Sequence, residues 1–229
     1  MAGKTIIISV IFSSFLLILG GCGKGSSEQP KEIAATPAEL QRAELQKTIS
    51  RKFENPPAHY ELGQGYQADG LWAQAQYHYN IAMSFDPAHR PAQAAMINCL
   101  RASGDTVKAD TTADVYISQV SGSAEESLKL ALAFQKERLD DLALTCYQQA
   151  LRLAPNSAKI NRQVGYYYRS KQDLVRAKEY LYRSFQLNPN QPEVAGELGR
   201  LGVDVTGARP GTSAKKLDRI VTDSEKDTQ

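Results

Sequence analysis

The sequence offers few side chains whose types and spacing could carry out catalysis. It contains no glycine-rich phosphate loop, no His-Glu-x-x-His and no Gly-x-Ser-x-Gly. The acidic pairs Asp140-Asp141 and Glu125-Glu126 are neighbours along the chain, and neighbouring side chains on a helix point in different directions. They therefore do not converge on one substrate, and we expect no enzyme activity, no catalytic residue and no cofactor.

The histidines and cysteines do not form a recognisable metal or disulfide pattern. The chain has three of each, too few and too scattered for a zinc ribbon or a disulfide framework, so we expect no metal. His59, His78 and His89 fall at unrelated positions of the repeat described below, and we interpret His78 as a partly buried structural histidine. Export would allow Cys99 and Cys146 to form a disulfide, but two buried free thiols are the alternative that we favour.

The first residues have the pattern of a targeting signal. Lys4 supplies a positive charge, and residues 6–19 form an apolar run that is too short for a comfortable transmembrane helix. The run ends in Leu19-Gly20-Gly21-Cys22, which resembles a bacterial lipobox. The resemblance implies cleavage of a signal peptide, residues 1–21, and a lipid on the Cys22 thiol; a plain signal peptide is the alternative.

A lipid on Cys22 would tether the protein to a membrane of the cell envelope, since several acyl chains anchor a protein firmly. Residue 23 is Gly and not Asp, which favours the outer membrane facing the periplasm if the organism is Gram-negative. Residues 22–36 are polar and contain Gly and Ser, which predicts a flexible linker between the membrane and the folded part.

A helix is predicted over residues 37–55, directly after this linker. Thr36 and Glu39 are spaced as a capping box. Leu45, Ile49 and Phe53 recur every four residues and form one apolar face. We expect this helix to cap the N-terminal end of the region that follows.

Residues 56–191 repeat with themselves every 34 residues, without insertions. The four units cover residues 56–89, 90–123, 124–157 and 158–191. Position 20 of each unit is alanine: Ala75, Ala109, Ala143 and Ala177. Position 8 is Gly63, Ile97, Ala131 and Gly165, and position 32 is Pro87, Ser121, Pro155 and Pro189. The pattern predicts two antiparallel helices per unit, with small residues where their backbones cross and Pro where the second helix ends.

These residues resemble the tetratricopeptide repeat (TPR) family, which has the same period. The match is best in Leu62-Gly63-x-x-Tyr66 with Ala75, and in Leu130-Ala131-x-x-Phe134 with Ala143. The resemblance implies an all-α fold, a right-handed TPR superhelix of four helix-turn-helix repeats with flanking capping helices. The second unit is degenerate. Position 4, often Trp in the family, is His59, Gln93, Ser127 and Asn161, which we expect to weaken packing at each unit's outer edge.

Two segments follow the last repeat. Residues 192–205 fit the first-helix position of a further unit and are predicted to be the C-terminal capping helix. Residues 206–229 are polar and contain Gly, Pro, Ser, Lys and Asp, so we predict a disordered tail.

The resemblance also implies a partner-binding groove lined by the first helices of the units. Carried onto this chain, its residues are Tyr60, Gln64, Gln67, Asn98, Arg101, Leu128, Leu132, Gln135, Lys136, Arg162, Tyr166 and Arg169. We expect the neighbouring Tyr167, Tyr168 and Tyr180 to be packing residues. With Lys159 and Glu125, the groove would carry five basic residues and one acidic residue. This excess predicts an acidic peptide, or its terminal carboxylate, held by Arg101, Lys136, Arg162 and Arg169. The alternative is that these are ordinary solvated charges and that a partner binds at the convex face or an edge.

The combined patterns predict a membrane-anchored scaffold for protein–protein interaction in a cell-envelope complex. A pilotin-like factor of type IV pilus biogenesis is one alternative, and an envelope receptor for a small anion or an enzyme accessory subunit is another. A net charge of +2 argues against nucleic-acid binding driven by charge.

Overall fold

The computed structural model describes residues 36–205, and this part of the chain is entirely helical, with no strand. Its ten helices are α1 (Pro37–Arg51), α2 (Pro56–Ala68), α3 (Trp72–Phe85), α4 (Arg90–Ala102), α5 (Thr106–Gln119), α6 (Ala124–Lys136), α7 (Asp140–Leu153), α8 (Ala158–Ser170), α9 (Leu174–Leu187) and α10 (Pro192–Arg200). The predicted all-α repeat fold is therefore confirmed over these residues. The signal peptide, Cys22 and the C-terminal tail lie outside them.

The first helix of each repeat begins at the first residue of its 34-residue unit. Each is preceded by a side chain that caps it: Asn55, His89, Ser123 and Ser157 accept a backbone N–H of the first turn of α2, α4, α6 and α8. Each first helix then packs against the helix that follows it, giving four helical hairpins. None of the described helices is long and apolar enough to span a bilayer.

The two helices of a hairpin approach each other most closely at glycine. A Cβ atom added to Gly63 would lie 2.6 Å from the ring of Tyr79, and one added to Gly165 would lie 2.6 Å from Leu181 Cγ. The four alanines at position 20 are completely buried. Small residues therefore occupy the helix crossings, as the repeat pattern predicts.

The second hairpin, α4–α5, is less closely packed than the other three. Position 24 is Ala113 in this unit, whereas Tyr79 and Tyr147 fill the same position of units one and three. Val107 and Val115 of α5 remain 75% and 53% exposed. The smaller residue at the hairpin interface explains the looser packing of this degenerate unit.

The side chains at position 4, where weaker packing was expected, are buried and hydrogen-bonded. His59, Gln93, Ser127 and Asn161 are all at most 1% exposed. Each donates a hydrogen bond to a carbonyl of the loop just before its own helix: those of Phe53, Pro87, Val120 and Pro155, at 2.9 to 3.0 Å. Buried polar groups with such partners fix the loops between units.

The helix α1 is shorter and less buried than predicted. Thr36 and Glu39 do form the capping box, with hydrogen bonds of 2.7 and 3.3 Å. The helix ends at Arg51, so Phe53 lies beyond it and is 53% exposed. No residue of α1 is buried. The predicted apolar face is therefore only partly used.

The opposite end of the array is better covered. Val194 and Leu198 of α10 are completely buried against Leu181 and Phe185 of α9. A second, continuous core runs from Tyr60 to Ala177 through the four hairpins.

Candidate functional site

The first helices α2, α4, α6 and α8 carry all twelve residues of the predicted groove. The structure shows which of these side chains are free to bind a partner and which already have a structural role. Most of them have an intramolecular partner.

Tyr60 and Gln64 form one such pair on α2. Tyr60 is only 8% exposed, and its hydroxyl accepts a hydrogen bond of 2.8 Å from Gln64 Nε2. Burial raises the pKa of Tyr60. Lys136 of α6 places its Nζ atom 5.9 Å from the centre of the Tyr60 ring. Tyr60 is thus a packing residue, with little surface left for the groove in which it was predicted.

Leu128 is one of the two leucines in the predicted groove, the other being Leu132. It is 1% exposed and belongs to the central core, so no partner can reach it. Leu132, one turn later on α6, is 38% exposed. Only Leu132 can therefore offer apolar surface to a partner.

Position 12 of each unit holds the array together. In units one and three it is Gln67 and Gln135, whose side-chain oxygens accept hydrogen bonds from the hydroxyls of Tyr79 and Tyr147. These tyrosines are completely buried, so their hydroxyls need such partners. The two glutamines consequently serve hairpin packing.

In units two and four the same position is an arginine that pairs with the next unit. Arg101 forms hydrogen bonds of 2.9 and 3.2 Å with the two carboxylate oxygens of Asp141, and the hydrogen bond from Arg101 holds the pKa of Asp141 below its usual range. Arg101 also contacts Asp110. Arg169 pairs with Glu197, which is only 4% exposed. Both arginines therefore fasten one repeat to the following element.

Three further groove residues have weaker or partial engagements. Asn98 donates to Glu137 at 2.8 Å, and Arg162 donates to Gln191 at 3.3 Å. Tyr166 is half-buried, and burial raises its pKa. Lys159, at the edge of the groove, pairs with Glu125 at 2.8 Å.

The binding of an acidic peptide by the predicted basic side chains stays a prediction. Acidic side chains already pair with two of the four, Arg101 and Arg169, whereas Arg162 and Lys136 form no ion pair within the described residues. Bidentate capture of a carboxylate by Arg101 or Arg169 would require an existing ion pair to break.

The surface that remains open surrounds a depression of about 440 Å³ next to α6. We call this surface the α6 patch and define it by His89, Pro91, Lys129, Leu132 and Lys136. Asp86, Ala88, Arg90 and Ala133 complete its lining. The patch combines an exposed leucine with two exposed lysines, a composition suited to a segment that is both apolar and acidic.

Two carboxylates lie at the α6 patch: Asp86 in its lining and Glu126 beside Lys129 and Arg90. Glu126 accepts a hydrogen bond of 2.8 Å from Lys129 and bonds of 2.9 and 3.1 Å from Arg90. These hydrogen bonds lower the pKa of Glu126, and the one from Lys129 has the larger effect. Lys136 contributes a further positive charge that no described carboxylate pairs with directly.

Sequence reasoning found Leu132 and Lys136 but missed His89, Pro91 and Lys129. His89 is the last residue of unit one and caps α4, and Pro91 is the second residue of that helix; neither was counted in the groove.

The structure also locates the tyrosines and cysteines discussed in the sequence analysis. Tyr167 and Tyr168 are buried and Tyr180 is half-buried, consistent with packing roles. Cys99 and Cys146 are buried free thiols, and burial raises the pKa of Cys146 to about 12. Within residues 36–205, no group of three or more His, Cys, Asp or Glu side chains is placed to hold a metal ion.

The 34-residue period, the four helical hairpins and the small residues at their crossings define the class of the protein. The described residues have the all-helical architecture of a TPR solenoid.

Comparisons with known proteins give two relatives of low identity. The chain is 27% identical over 142 residues to the protein O-mannosyl-transferase TMTC1 of Homo sapiens, a match over 60% of this chain and 16% of that protein. It is 26% identical over 164 residues to the type IV pilus assembly protein PilF of Pseudomonas aeruginosa, over 68% of this chain and 62% of PilF. The chain thus spans less than two thirds of either relative.

No protein-family model matches the chain. Among solved structures, it is similar to TTC0263, a thermophilic TPR protein of Thermus thermophilus. The identity is 15%, the match covers 70% of this chain and 88% of that one, and the TM-score is 0.39. Such a superposition adds nothing beyond the fold.

Proposed function

We propose that this protein is a lipid-anchored TPR scaffold of the cell envelope that holds a protein partner at the α6 patch. The observation that carries the proposal is the pairing of an exposed leucine, Leu132, with Lys129 and Lys136 around an open depression. The lipobox-like pattern at Cys22 supports the anchor.

The partner segment that fits this patch carries acidic and apolar side chains. An apolar side chain would enter the depression beside Leu132, and carboxylates would face the two lysines. Lysine ammonium groups recognise carboxylates as point charges, so the patch constrains charge more than geometry. Arg101 and Arg169 are engaged in ion pairs, which leaves a small-anion receptor fewer free cations in the groove.

The test is co-purification from detergent-solubilised membranes of the native host. Reversing both charges with Lys129→Glu/Lys136→Glu should abolish recovery of the partner. The matched control, Lys52→Glu/Lys108→Glu, makes the same change in net charge at exposed residues elsewhere in the array. Equal loss in both variants, or full recovery with the first, would exclude the α6 patch as the binding site.

A role in type IV pilus assembly is a second candidate, favoured specifically by the similarity to PilF. Deleting the gene in its native host should then remove surface pili, and complementation with Cys22→Ser should not restore them. A deletion strain with normal pili would exclude this role while leaving the scaffold proposal intact.

A further inference from the structure

The helix α1 covers the first repeat only partly. Two cavities of about 280 and 340 Å³, both open to solvent, lie along it, and Leu62 of α2 lines both. The second cavity also contacts Ile49, Phe53 and His78. Since no residue of α1 is buried, apolar packing contributes little to holding α1 in place.

Polar contacts hold α1 instead. Arg42 forms an ion pair with Asp69 and lies 5.5 Å from the centre of the Tyr66 ring. Gln46 donates to the Tyr66 hydroxyl at 3.3 Å. Just beyond the helix, the carbonyl of Phe53 lies 3.0 Å from His59 Nε2.

His59 is in turn paired with His78 of α3. Their Nδ1 atoms are 3.0 Å apart. The ring centroids are 5.2 Å apart and the ring planes differ by 27°. Because the centroids are so much farther apart than the two nitrogens, the nitrogens point at each other, edge to edge.

This geometry fixes the protons of the neutral pair. A carbonyl can only accept, so His59 donates from Nε2 to Phe53. Neutral His59 then has an unprotonated Nδ1, and His78 must donate from its own Nδ1. A proton on Nδ1 of His59 forces His78 to change tautomer, and protonation of both rings places two N–H groups against each other.

The surroundings offer no charge that would stabilise a protonated pair. Tyr66 stacks on His78 with centroids 5.4 Å apart, and Tyr77 meets it edge-on at 5.1 Å. The cation of Arg42 lies on the same Tyr66 ring. No carboxylate within the described part of α1, α2 or α3 is paired with either imidazole. Burial lowers the pKa of both histidines, that of His78 to about 4 with the charge of His59 as a second cause.

We propose that α1 is a detachable N-terminal cap, and that protonation of the His59–His78 pair releases it and uncovers the end of the first repeat. The interaction between the two rings is present when both are neutral. One proton on His78 Nε2 leaves the hydrogen bond between the two Nδ1 atoms in place, so the interaction is lost when the second ring is also protonated. Because the released state binds these protons more readily, the docked state loses stability as the pH falls from the ordinary histidine range toward the lowered pKa of His78, about 4. The cap therefore opens progressively on acidification and is closed near neutrality.

Hydrogen–deuterium exchange of the full chain at about pH 7.5 and about pH 5 tests this, after correction for intrinsic exchange rates. The equilibrium constant for opening of α1 should be about ten times larger at the lower pH. This is less than the full linkage effect of two histidines, because both rings stay partly enclosed when α1 opens. The amides of α6 and α7 should be unchanged and serve as the internal reference. Equal opening of α1 at both values would overturn the proposal.

The chain itself supplies a matched variant that does not titrate. At the same repeat position as His59, Gln93 donates its amide to the carbonyl six residues earlier. His59→Gln/His78→Gln should therefore keep α1 docked and remove the pH dependence. His89→Asn, which keeps an N-cap for α4, should retain the wild-type response. A pH response that persists in the double variant, or disappears with His89→Asn, contradicts the assignment.

One measurement needs no variant and stays decisive if the double variant docks poorly. In the wild-type chain, the imidazole nitrogen resonances of His59 and His78 should titrate below the ordinary histidine pKa of about 6.5 while α1 is docked. A midpoint at or above that value would leave no linkage between protonation of the pair and the opening of α1, and would overturn the proposal.

Discussion

Two glycines of α2 allow a sharp test of how the helices of a hairpin meet. Gly63 and Gly65 lie in the same helix, two residues apart. A Cβ atom on Gly63 would lie 2.6 and 2.7 Å from two ring carbons of Tyr79, whereas one on Gly65 has nothing within 4 Å. Gly63→Ala and Gly65→Ala therefore make the same chemical change with and without a steric conflict.

The magnitudes follow from two opposing effects. Alanine stabilises a helix interior by about 1 kcal/mol relative to glycine. The steric conflict created by Gly63→Ala should cost about 2–3 kcal/mol, the upper end of the range for overpacking. Tyr79 cannot easily move away, because it is completely buried and its hydroxyl donates to Gln67 at 2.6 Å. Gly65→Ala should therefore stabilise the protein by about 1 kcal/mol, and Gly63→Ala should destabilise it by about 1–2 kcal/mol.

Thermal unfolding followed by the helical circular dichroism signal measures the difference. At roughly 2–4 °C per kcal/mol for a chain of this size, the two Tm values should lie about 4–12 °C apart. Equal Tm values for the two variants would refute the close crossing of α2 and α3, and with it the hairpin geometry on which the array rests.

Three further outcomes are expected. Cys22→Ser should move the protein from the membrane to the soluble fraction, and an unchanged partition in membrane flotation would refute lipidation. Gln93→Leu should lower the free energy of unfolding by about 1–2 kcal/mol in urea titrations because the Pro87 carbonyl loses its buried donor; no change would show that this bond does not hold the loop. Burial lowers the pKa of His89, so the wild type should lose stability as the pH falls below about 6.5. His89→Asn should reduce this loss, and identical profiles of unfolding free energy against pH for the two proteins would contradict it.

The repeat period alone was sufficient to predict the hairpins. Pro56, Arg90, Ala124 and Ala158 begin both the sequence units and the helices α2, α4, α6 and α8. This works because a TPR unit contacts mainly its neighbours, so that a local pattern specifies most of the packing.

The binding surface was far less predictable, because its free side chains depend on partners from other units. Arg101 is neutralised by Asp141, 40 residues later, and Arg169 by Glu197 of the capping helix. Neither partner lies in the positions that define a groove. Leu128 and Leu132 are both leucines of α6, and only the packing of neighbouring helices decides which of them is buried.

The polar residues at position 4 show a different limit. Relative to a family pattern with Trp, His59 and Asn161 suggest a loss of packing, yet the structure uses both as donors to loop carbonyls. The residue at position 4 is polar in all four units, and this recurrence would have predicted a shared hydrogen-bonding role. The contact between His59 and His78 needed the hairpin itself, since they lie on different helices.

Site-specific photo-crosslinking in the native host tests the α6 patch most directly. A photoreactive residue in place of Leu132 should crosslink to one protein, and the crosslink should disappear when Lys129 and Lys136 are reversed to Glu. The same residue in place of Leu153, a leucine on α7 that is 45% exposed, should give no crosslink to that protein. A crosslink from Leu153 and none from Leu132 would contradict the account.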